Sequence, residues 1–221
     1  DSEQWNCYNT KTSGYLQDIV LGVLLDFAKA HNCKFEVLPI KGNFVLEDEI
    51  LFKCNKKLNE EELKKIYSLF NFSSSQRIEE NYVLAFKQMT EIAVKSMSPG
   101  INDPGTALIC IDYLTQLFNI RLCKKDQIIL SQEDVSCIKI NSVSFKSLLY
   151  SVITPIRTYS KHDIVIVLKL FSMLEYVYLN SKNEVYSKAI KEEANSLYKD
   201  AKQVIKNETD LSKLEAAYLK F

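Results

Sequence analysis

Apolar and polar positions follow two rhythms along this chain, and the change falls near residue 57. Before it the pattern is short and strand-like. Tyr15-Leu16 follow a Ser-Gly turn, "CKFEVLP" (33–39) alternates with the period of two that half-buries a strand, and "FVLEDEILFKC" (44–54) reads as two short strands about an acidic turn. One helix interrupts them. "IVLGVLLDFAKAH" (19–31) is apolar on nearly every face, the mark of a buried helix, and Asp18 stands where a cap is expected. Lys41-Gly42-Asn43 is a further turn signal.

Beyond residue 57 the period lengthens to that of helices. "NEEELKKIYSLF" opens on Asn59 with Glu62 at the third helical position, the pattern of a capping box. A polar linker, "SSSQ" (73–76), leads to a helix over 78–97 with Val83, Phe86, Met89, Ile92-Ala93 and Met97 on one stripe. Pro99-Gly100 stops it. Asp103 is then placed as N-cap, Pro104 as the first helical residue and Thr106 as the third, ahead of a stripe of Ala107, Cys110-Ile111, Leu114 and Leu117-Phe118. "QIIL" and "SCIKI" predict a small hairpin around "SQEDV", and four helices finish the chain at roughly 144–160, 162–180, 183–206 and 209–220, with Ser144, Asp163 and Asp210 as caps. The expected fold class is α+β: a β-rich part over 1–56 with one helix, then a predominantly helical domain over 57–221 containing the short hairpin.

Composition narrows the function. Among 221 residues, 28 basic and 28 acidic side chains cancel to a formal net charge of zero, which excludes nucleic-acid binding driven by bulk charge. The six cysteines form no C-x-x-C, and the two histidines bear no metal-ligand spacing to them, so no metal is expected. Scattered cysteines in a chain with ample core are expected to be reduced, mostly buried and in a reducing compartment. The longest apolar run, residues 164–179, contains Lys169 and Glu175 and falls short of the ~20 residues that span a bilayer. The chain opens on "DSEQW" without a methionine, which leads us to expect a portion of a longer protein.

The densest turn chemistry lies at "SPGINDPGTA" (98–107), and its residues carry two readings. The first is a tight corner between two antiparallel helices. The second is a site, because Gly105 exposes backbone N–H groups at a helix N-terminus, while Asn102 and Asp103 can accept from a cation or an arginine fork. Only Arg77, Arg121 and Arg157 are arginines. Arg121 is explained by its place at a helix C-terminus. Arg77 and Arg157 are left as partners for the corner, so Arg77, Asn102, Asp103, Thr106 and Arg157 make up the candidate binding set. No phosphate-binding loop, nucleophile elbow or zinc-protease motif is present, and no catalytic residue or cofactor is assigned.

"SGYLQ" (13–17), "GNFV" (42–45), "QMTEIAVKSMSPGINDPGTALICIDYL" (88–114) and "IRTY" (156–159) together resemble the soluble part of the bacterial predicted membrane protein family, domain of unknown function 2254. The resemblance is strongest over 88–114. It implies transmembrane helices upstream of this region and an extramembrane C-terminal domain here. It carries no established activity. The chain departs from the family pattern at Val20, Asn43 and Asn81, where acidic groups are usual. The N-terminal part also resembles a biotinyl or lipoyl barrel-sandwich without the lysine that carries such a cofactor. The expectation is therefore a non-enzymatic, cytoplasmic domain of a homo-oligomeric inner-membrane protein, serving assembly, gating or regulation of a transport pathway. The alternatives are a small-molecule sensor or enzyme with its pocket at Asn102–Asp103, and a scaffold for partner proteins.

Overall fold

The computed structural model describes residues 4–76, 81–132 and 135–221. The chain is α+β and forms two compact units, each assembled from two separate stretches. The first unit joins Asp1–Leu84 to Lys125–Val143, and the second joins Ala85–Lys124 to Ser144–Phe221.

In the first unit, β1 (Asn6–Asn9), β2 (Gly14–Ile19), α1 (Leu21–Ala30), β3 (Phe35–Val37), β4 (Phe44–Val45), β5 (Ile50–Cys54), α2 (Glu60–Tyr67) and β6 (Phe70–Ser73) are completed by the hairpin β7 (Gln127–Gln132) and β8 (Val135–Asn141). Five strands make one sheet in the order β1-β5-β3-β8-β7, and three make another in the order β4-β2-β6. All pairings are antiparallel except β3 with β8, which runs parallel with Phe35 opposite Ile138. That pairing explains why the division at 56/57 suggested by the change of rhythm is not the boundary of the compact units. Ile138 and Ile140 of β8 are buried in this unit, where β8 pairs with β3 and packs on α1, and α2 and β6 belong to the same unit.

Aromatic rings fill the core of this unit. Phe52 stacks on Tyr8 at 5.0 Å and on Phe70 at 5.8 Å between ring centres. Leu16, Leu24, Phe35, Val37, Leu51 and Ile66 are buried around it, each contributing about 1.5–3 kcal/mol for full burial. The capping box of α2 forms as its sequence predicts, with Glu62 N donating to Asn59 Oδ1 at 2.9 Å and Asn59 N to Glu62 Oε2 at 2.8 Å. Asp18 does not cap α1. It belongs to β2, the cap position is Val20 with no side-chain bond, and the Asp18 carboxylate turns to Lys41 instead.

The second unit is helical: α3 (Tyr82–Ser96, whose first turn lies in the first unit), α4 (Pro104–Leu122), α5 (Phe145–Ser160), α6 (Ile164–Asn180), α7 (Glu184–Val204) and α8 (Glu208–Tyr218). α6 packs against α4, α5, α7 and α8, and α7 also packs against α5 and α8. Its position follows from its composition, since Ile166, Val167, Leu170, Phe171, Met173, Leu174 and Val177 are all buried. The stripe of α4 buries Ala107, Cys110, Ile111, Leu114 and Phe118 as expected and leaves Leu117 half-buried, while α3 buries Phe86, Thr90, Ala93 and Ser96 and leaves Ile92 exposed. Ser144 and Asp163 cap α5 and α6, and α8 is capped by Asn207 rather than Asp210, which donates its own N–H to Asn207 Oδ1. Among the described residues no disulfide joins the cysteines, and Cys33, Cys54, Cys110 and Cys137 are buried.

Candidate functional site

The 98–106 segment forms a corner that satisfies itself. Ser98 O accepts from Ile101 N at 3.0 Å and from Asn102 N at 2.9 Å, and Asp103 N donates back to Ser96 O at 2.8 Å. Asn102 holds a left-handed φ of 47°, a conformation that asparagine tolerates better than most side chains. Asp103 Oδ1 accepts from Thr106 N at 3.1 Å, and its Oδ2 accepts from Thr106 Oγ1 at 2.5 Å. The Thr106 hydroxyl, and then the backbone N–H groups, hold the Asp103 carboxyl below its ordinary range. Residues 99–105 are exposed. Asn102, Asp103 and Thr106 are thus brought together by their own spacing, and the positive end of α4 is already occupied by Asp103.

Arg157 is directed elsewhere. From α5 its Nε lies 3.2 Å from Asp200 Oδ2 and its Nη1 lies 3.7 Å from Glu193 Oε2, two residues seven apart on one face of α7. Arg157 and Glu193 are both largely buried. Burial pushes the Glu193 carboxyl up, and the Arg157 charge opposes that shift. Among the described residues Arg157 makes no contact with Asn102 or Asp103, and Arg77 lies outside the described residues. Arg121, for which the sequence predicts only a helix-dipole role, is the largest fully buried side chain among the described residues. Arg121 continues the α4 stripe three residues after Phe118. Its Nη1 donates to Lys124 O at 2.9 Å, and its guanidinium lies 6.0 Å from the ring centre of Phe145 and 5.8 Å from that of Tyr186. The spacing that predicted the stripe also reaches Arg121, and a charged residue on a buried stripe is the signal for such a closure.

A built concavity lies in the first unit, around the Lys41-Gly42-Asn43 turn. Gly42 has φ of 90°, and its N–H donates to Leu16 O at 2.7 Å. Gly42 O accepts from Gln76 Nε2 at 3.0 Å and from Asn81 Nδ2 at 3.3 Å. A Cβ at position 42 would fall 2.1 Å from Asn81 Nδ2, so both the dihedral and the space require glycine. Asn81 is buried, and its Oδ1 accepts from Val83 N at 3.1 Å. An amide at position 81 can donate to Gly42 O, and a carboxylate cannot.

Beside that turn opens a cleft of about 310 Å³. Ile19, Leu21, Ile40, Val83, Ile128 and Ile140 give it aliphatic walls, and Asp18, Lys41, Asn81, Tyr82, Asn141 and Ser142 give it polar edges. Lys41 Nζ donates to Asp18 Oδ1 at 2.8 Å. This bond holds the Asp18 carboxyl below its ordinary range. The sequence announces the turn but not the cleft, because Asp18 stands where a helix cap is expected and the walls come from segments more than a hundred residues apart.

Neither a curated protein nor a solved structure matches the chain. A family model described as "Predicted membrane protein (DUF2254)" matches residues 1–176. The match covers the first unit and the corner. It ends before Glu193 and Asp200.

Proposed function

Because the chain belongs to the DUF2254 family of predicted membrane proteins, we propose that it is the extramembrane, C-terminal domain of a bacterial inner-membrane protein, working as a homo-oligomer in the assembly, gating or regulation of a transport pathway. The carrying observation is the family membership taken together with the architecture. No described helix is long and apolar enough to cross a membrane, so the membrane-spanning role of the family falls to segments other than the described helices. The cytoplasmic side is supported by six cysteines without a disulfide among the described residues, as expected where thiols stay reduced. In this reading the corner at Asn102, Asp103 and Thr106 sets the path of α3 into α4, and Arg157 holds α5 to α7. Neither serves as a ligand pocket.

The test is made on the full-length protein in its native membrane. Cys7 and Cys123 are exposed, so a membrane-impermeant maleimide should label them only after the inner membrane is opened. Mass measurement in detergent should then return an integral multiple of the protomer, and liposomes carrying the protein should pass a solute flux that changes when this domain is removed. Labelling of intact spheroplasts, recovery in the soluble fraction, or a flux indifferent to the domain each overturns the corresponding part of the reading.

A further inference from the structure

Two properties of the cleft in the first unit limit what it can hold. Its walls are aliphatic, with Ile140 buried and Ile128 half exposed. Among the described residues its charged groups are one acid from β2 and one base from the turn, already in contact. The other polar groups facing it are neutral and largely engaged: Asn81 with Gly42 O and Val83 N, Asn141 Nδ2 with Leu38 O at 3.2 Å, and the Tyr82 hydroxyl with Ser142 Oγ at 3.4 Å.

A ligand with a net charge gains from one member of the Asp18–Lys41 pair and is repelled by the other. A zwitterion gains from both. The two side chains are 51% and 40% exposed, and an exposed pair is held by only about 0–1 kcal/mol, so a ligand can part them at small cost. The volume sits at the lower end of the ~300–1,000 Å³ found for small-molecule pockets, and admits a molecule of amino-acid size. Its aliphatic walls take hydrocarbon.

We propose that this cleft binds a small aliphatic zwitterion, a free amino acid with a branched apolar side chain. Its carboxylate meets Lys41, its ammonium meets Asp18, and its side chain lies against Ile19, Ile128 and Ile140. The proposal stands apart from membrane attachment, because every group it uses belongs to the first unit.

Isothermal titration of the 221-residue chain with four probes decides it: L-isoleucine, 3-methylpentanoate, 2-methylbutylamine and the dipeptide isoleucyl-glycine. L-Isoleucine should bind about two- to fivefold more tightly than either half-ligand, since an ion pair to a half-exposed group is worth up to about 1 kcal/mol. Asp18→Asn and Lys41→Met, both at half-exposed positions, should each weaken L-isoleucine by about the same factor. Ile128→Ser should weaken L-isoleucine and the half-ligands together. Circular dichroism confirms that each variant is folded. Absence of L-isoleucine binding at millimolar concentration overturns the proposal, as do half-ligands equal to the whole or an affinity indifferent to Asp18 and Lys41. A dipeptide bound more tightly than the free amino acid also overturns it, in favour of a peptide terminus.

Discussion

Two turns in this chain look alike on paper and are built in opposite ways. The corner at 98–106 concentrates proline, glycine, asparagine and aspartate, and its bonds run between residues no more than seven apart, from Asp103 N to Ser96 O. The turn at Lys41-Gly42-Asn43 shows only one glycine, yet Gly42 O is held by side chains 34 and 39 residues further along. The first closes on itself and presents an exposed surface. The second draws distant segments around one carbonyl and leaves a walled cleft beside it. Density of turn residues measures how sharply a chain must bend. Whether the bend becomes a site depends on what arrives from elsewhere.

The strongest challenge to this contrast comes from the arginine expected at the corner. Arg157→Ala should lower unfolding free energy by about 3 kcal/mol, the lower end for a buried ion pair broken on one side, while the amide signals of 98–106 stay in place. A shift of the corner signals would return Arg157 to the corner. Gly42→Ala should cost about 1–3 kcal/mol, the range for strained backbone, with displacement of Asn81 added to it. A variant with the parent's urea midpoint would mean that the turn is not fixed by its distant partners. Next in size is a pH effect. Glu193 has its carboxyl pushed above the ordinary 4.5 by burial, so the folded state holds a proton that the unfolded state has released. Stability from this group is therefore full below about 4.5 and declines as pH rises through the folded value. Glu193→Gln should remove that slope, seen as a smaller difference between urea midpoints measured at pH 4 and pH 7.

The smallest effect is expected at the corner itself. Asp103→Ala should lower the melting temperature slightly, because Thr106 N loses its cap. The sign with pH is opposite to that of Glu193. The Asp103 carboxyl lies below its ordinary 3.8, so its contribution is present above 3.8 and is lost as pH falls through the lower folded value. A corner variant that loses more stability than Gly42→Ala would reverse the ranking of the two turns.

Sequence reached most of the helical unit because its signals are local. The α4 stripe, the Asp103 cap and the α2 capping box each depend on residues three or four apart. It missed β1 and β6, which are four residues long and gain their identity only by pairing with β5 and β2. It placed Asp18 at a helix start because a carboxylate before an apolar run satisfies that pattern, and nothing nearby announces Lys41. The α3 stripe was displaced toward Met89 and Ile92, because periodicity alone does not say which of two adjacent apolar faces meets the core. The candidate site was legible only in part. The corner was read to the hydrogen bond, whereas the cleft needs Asp18, Lys41, Asn81, Ile128 and Ile140 to converge, and no spacing rule connects them.

The parallel pairing of β3 with β8 has a consequence for the order in which the molecule can form. Glu36 and Lys139 lie side by side there, their side chains 2.7 Å apart, though 103 residues separate them in the chain. Closing so long a loop costs entropy before any strand pairing repays it, which slows the step. During synthesis β3 must wait until residue 140 or so has emerged. In that interval Phe35 and Val37 stand on an open edge whose N–H and C=O groups invite pairing with another chain. The hairpin is thus the keystone of the first unit, its last stretch to arrive, and a nascent chain stopped at Lys124 should aggregate more readily than the whole chain.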